Sequence, residues 1–96
     1  MIEARFERDY GCTEAEWLGW LPGAVRDQAL ALQPGGAVVS IDPGVLHLHW
    51  HALPPRRIAL LCMPRLAVSF AFEHVDAQQR IAFMRYFDLF MQRGGG

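Results

Sequence analysis

The sequence contains no lysine. Its nine basic residues are all arginine and stand against ten acids, for a net charge of -1. A nucleic-acid surface needs a basic excess or patch to meet phosphates, and the only adjacent basic pair is Arg56-Arg57. Nucleic acid is therefore excluded as an expected partner. No segment approaches the ~20 apolar residues of a membrane span. Residues 1–10 alternate charged and apolar side chains and lack the apolar core of a signal peptide. The expectation is a cytoplasmic protein without membrane contact. Cysteine is scarce. Cys12 and Cys62 form no CxxC pair and are expected to be reduced in that compartment. Paired carboxylates, phosphate-cradling glycine loops and Ser/His/Asp arrangements are also missing as motifs, so no catalytic residue is assigned.

What is abundant is apolar material. The hydrophobic fraction is 52% with glycine left out, whereas ordinary domains reach about 45–50% with glycine included. The surplus needs a home in a buried helix, a ligand cavity or a subunit interface. A chain of 96 residues fits one domain, expected to span residues 1–93 and to end in a flexible Gly94-Gly95-Gly96 tail.

The pattern predicts an antiparallel α+β fold. Ile2, Ala4, Phe6 and Tyr10 alternate with Glu3, Arg5, Glu7 and Asp9, which marks a strand with one face on a core. Arg8 interrupts the apolar face. Thr13 and Glu16 form a capping box for a short helix carrying Trp17, Leu18 and Leu21, which Leu21-Pro22-Gly23 should end. Strands are then expected over 29–33, 37–42 and 45–53. Pairing Asp42 with Val45 sets Ile41, Val39 and Ala37 against Leu46, Leu48 and Trp50 on one apolar face. Pro54-Pro55-Arg56-Arg57 reads as a stiff connector, followed by strands over 58–62 and 66–73 joined at Met63-Pro64-Arg65. Asp76 and Gln79 cap a long helix running to about Gln92. The whole is an antiparallel sheet of about five or six strands, with a short N-terminal and a long C-terminal helix packed on one face.

Three features bear on function. In the long helix Ile81, Phe83, Met84, Phe87, Phe90 and Met91 fill an arc wider than the about 100° stripe of a surface helix. Phe83, Phe87, Phe90 and Met91, with Trp20 of the short helix, are the expected partner or ligand surface. Second, His47, His49 and His51 project from one face of a strand. Two such imidazoles can converge on zinc or copper, with Asp42, His74 or Cys12 as helper; the alternative is a wet strand face that binds no cofactor. Third, Cys12 precedes a helix N-terminus, where the dipole lowers a thiol pKa if the sulfur points at it. Cys62 reads as a buried structural thiol. Arg56-Arg57 suits either an anion or a guard against edge pairing. The Gly-Gly-Gly end is similar to the tails of sulfur carriers, but here a helix leads to it.

The strand–helix–meander–helix order is similar to the helix-grip proteins, and it also resembles the repeat unit of TATA-binding proteins. The first likeness implies an apolar cavity lined by Phe83, Phe87 and Phe90. The reading that follows is a non-enzymatic interaction module that forms a homo-oligomer or docks a protein partner through the C-terminal helix. A small apolar-ligand binder and a transition-metal binder are the alternatives.

Overall fold

A computed structural model describes residues 3–94. The elements run β1 (Arg5–Tyr10), α1 (Glu14–Val25), β2 (Leu30–Gln33), β3 (Gly36–Ile41), β4 (Gly44–Ile58), β5 (Leu61–Glu73) and α2 (Ala77–Gly94). The five strands form one antiparallel sheet in the order β1-β5-β4-β3-β2. Both helices lie on the same face, so the α+β layout with a short first helix and a long last one is as expected. Gly94 belongs to α2, and Ile2 and the last two glycines lie outside the described residues.

Strand alternation sends Leu46, Leu48 and Trp50 of β4 and Leu66, Val68, Phe70 and Phe72 of β5 into the core. Trp17 of α1 and Phe87 of α2 meet them at the centre, with ring centroids 6.0 Å apart. Both capping boxes form. Thr13 Oγ1 accepts from the Glu16 N–H at 3.1 Å, and Asp76 Oδ1 from the Gln79 N–H at 2.8 Å. Arg8, the break in the β1 pattern, faces the helices. Its guanidinium lies over the Phe6 ring and pairs with Asp88 of α2.

Three local expectations are corrected. First, α1 does not stop at Leu21-Pro22-Gly23 but continues through Pro22 to Val25. An internal proline costs about 3 kcal/mol. Burial of Leu21 and Val25 returns ~1.5–3 kcal/mol each, which offsets it. Gly23 is a contact, not a stop: a Cβ there would sit 2.5 Å from the Phe90 ring.

Second, the β3–β4 turn is Asp42-Pro43, with Ile41 opposite Gly44, Val39 opposite Leu46 and Ala37 opposite Leu48. The partners are two residues away from the expected ones, so every side chain keeps its face. Gly44 is demanded by crowding, since a Cβ there would lie 2.1 Å from the Glu73 carbonyl oxygen. Third, the double proline does not separate two strands. β4 runs through it with an irregularity between Leu53 and Arg56, turns at Ala59-Leu60, and returns as β5. Residues 53–65 thus form a two-stranded arm that extends a molecule 47 Å long and 21 Å thick.

Candidate interaction surface

α2 shows where the predicted apolar surface goes. Met84, Phe87 and Met91 are buried in the core, while Phe83, Phe90 and Trp20 are half-buried against it. The space that a helix-grip cavity would occupy is filled by rings. Phe87 meets Phe70 edge-on at 5.6 Å and Phe83 at 5.8 Å. Phe83 borders an open groove of about 360 Å³ between α1, α2 and the Asp42 turn, which Phe87 and Phe90 do not line. The wide apolar arc is covered from two sides, by the sheet and by α1, whose Trp17 meets Phe87 and whose Gly23 abuts the Phe90 ring. Ile81 and Leu89 remain outside.

His47, His49 and His51 project from β4 on the face away from the helices. His47 Nε2 lies 3.4 Å from Glu73 Oε1, a long contact. The structure does not bring Asp42, His74 or Cys12 to them. Among the described residues no group of three or more His, Cys, Asp or Glu is placed to hold a metal ion. Cys12 is buried in the core, and burial pushes its thiol up, with Glu16 adding to the effect. The depression expected if the sulfur pointed at the helix N-terminus is therefore corrected: burial disfavours the thiolate and holds the thiol above its ordinary value. Cys62 is corrected in the other direction. It stands exposed on the arm, because β5 begins well before the sheet gains its helical cover.

Among the described residues, no helix lies over the side of the sheet that carries the histidines. Along β5 its floor is small, with Ala67, Ser69 and Ala71 opposite His51, His49 and His47 of β4. Glu7 of β1 pairs with Ser69, and Asp9 with Ala67. The arm continues this face. Pairing places Arg56 with Met63 and Ile58 with Leu61, and alternation from Ala67 puts Arg65, Met63 and Leu61 on the open side. Ile58 is 55% exposed, Leu61 65% and Met63 47%; Leu60 at the tip is fully exposed. Arg65 Nη2 donates to Asp9 Oδ2 at 2.8 Å and ties the base of the arm to β1.

Sequence reasoning missed this arm because prolines read as a connector. One signal was available. No acid occurs between Asp42 and Glu73, a stretch that holds three arginines and the Leu60-Leu61-Cys62-Met63 run. Comparison with protein families, with curated proteins and with solved structures finds no match for this chain. Among the described residues no helix is long and apolar enough to cross a membrane.

Proposed function

We propose that this chain is a non-enzymatic interaction module that self-associates, and that the β4–β5 arm, more than α2, is its docking element. The observation that carries the reading is the cluster of Ile58, Leu60, Leu61 and Met63, all exposed on one projecting hairpin. Single exposed apolar residues need no explanation, but a contiguous patch of them marks a contact site. Covering each such side chain yields ~1.5–3 kcal/mol. An isolated two-stranded hairpin is marginal in water by itself, so cover also holds the arm in shape.

Charge favours a second copy as the cover. Residues 53–65 hold three arginines and no acid, while the rest of the chain holds six arginines against ten acids. A basic, apolar arm therefore finds its complement on an acidic body of its own kind. The test is sedimentation of the purified protein over a concentration series, beside Leu60→Ser/Leu61→Ser. The reading expects a dimer at micromolar concentrations, about -8 kcal/mol of association free energy, and a monomer for the variant. A wild-type chain that stays monomeric to millimolar concentration overturns it.

A further inference from the structure

We infer that two copies pack face to face across the open side of the sheet, with strands antiparallel, so that each arm lies over the small-residue floor of the other copy. This rests on the self-association proposed above and adds the surface that receives the arm.

The first support is that bulk and charge reverse along a single face. At the arm end stand Ile58, Leu61 and Met63 with Arg56 and Arg65; at the other end the small Ala67, Ser69 and Ala71 of β5 form a trough between His47, His49 and His51 of β4 and Arg5 and Glu7 of β1, with Glu73 beyond. A two-fold axis lying between the sheets and perpendicular to the strands exchanges the two ends. The axis then brings Arg65 of one copy over the Ser69–Glu7 pair of the other and Arg56 over the His47–Glu73 pair, each contact being made twice, as an isologous arrangement requires. Centred on Ala67, it sets Met63 of one copy over Ala71 of the other, at the ~10 Å spacing of stacked sheets. Second, the arm is poorly suited to the alternative of edge pairing. Pro54, Pro55 and Pro64 each remove a backbone N–H from its strands, and arginines line it. Third, the two longer extents of the molecule, 47 and 28 Å, leave room for the about 800 Å² per partner of a standard interface.

The test is charge exchange. Arg56→Glu/Arg65→Glu gives an acidic arm over an acidic floor; Glu7→Arg/Glu73→Arg gives a basic arm over a basic floor. Each variant alone is expected to dimerise about 100-fold more weakly than wild type, since like charges set together cost several kcal/mol. An equimolar mixture of the two is expected to recover to within about 10-fold, because both contacts become complementary. Thermal melts establish that each variant folds. If each variant dimerises like wild type, or the mixture stays monomeric, the face-to-face arrangement is wrong. A dimer lost only in Leu60→Ser/Leu61→Ser leaves the arm as docking element and removes this receiving surface. A second measurement is independent of charge. In a Cys62→Ser background, Met63→Cys/Ala71→Cys is expected to be linked into a covalent dimer by a short bismaleimide reagent, which spans the ~10 Å between stacked sheets where a direct disulfide would not reach. The two positions are about 26 Å apart along one strand at ~3.3 Å per residue, so the link cannot form within a chain. Absence of linked dimer contradicts the arrangement.

Discussion

The two halves of the β4–β5 hairpin share one backbone ladder and have opposite fates. In the half under the helices, Leu46, Leu48, Trp50, Leu66, Val68 and Phe70 are buried. In the arm, Ile58, Leu60, Leu61 and Met63 face outward. Both halves are rich in apolar side chains and both are paired strand to strand. The difference is cover alone. Hydrogen bonding sets the shape of a hairpin, but burial decides which part of it is core and which part is available for contact.

That contrast predicts unequal responses to substitution. The largest effect belongs to the covered half. Phe87→Ala removes the ring that Trp17, Phe70 and Phe83 pack against, and should lower unfolding free energy by about 3–5 kcal/mol in urea titration. Gly44→Ala should cost about 1–3 kcal/mol, because its Cβ would meet the backbone of Glu73 and His74 instead of a movable side chain. Thr13→Ala removes one side of the first capping box and should cost about 1 kcal/mol. In the arm, Leu60→Ser/Leu61→Ser should change the stability of the monomer by no more than about 0.5 kcal/mol. A loss as large as that of Phe87→Ala would erase the distinction between the two halves.

The cysteines sharpen the same comparison. A thiol reagent should label Cys62 on the arm quickly and reach buried Cys12 only on unfolding. The sign of the pH effect follows from the raised Cys12 pKa. The unfolded thiol ionises first, near pH 8.5, so the contribution of Cys12 to stability is complete below that pH and is lost as pH rises through the folded value. Cys12→Ala should flatten this decline in thermal melts. Tyr10, raised by burial, adds a second decline at higher pH that the substitution leaves in place.

Sequence pattern revealed the faces better than the turns. Thr13-Glu16 and Asp76-Gln79 announced both helix starts because a capping box is a local bond pattern. Alternation put Val39, Leu46, Leu48 and Phe70 on the right side of the sheet. It could not fix the β3–β4 register, since a two-residue slip preserves every face. Pro22 and Pro54-Pro55 misled for a shared reason. Their local penalties are readable in sequence, whereas the long-range contacts that outweigh them, such as Leu21 in the core or Arg56 beside Met63, are not. The surplus of apolar residues was legible, but its location was not. The sequence pointed to α2, and the structure covers most of that helix and leaves the arm bare.

Amide hydrogen exchange across residues 53–65 at two protein concentrations tests the central claim most directly. If a second copy covers the arm, these amides exchange slowly in concentrated solution and speed up on dilution, while those of Phe70 and Phe87 do not change. Arm amides that exchange equally fast at both concentrations would contradict the account.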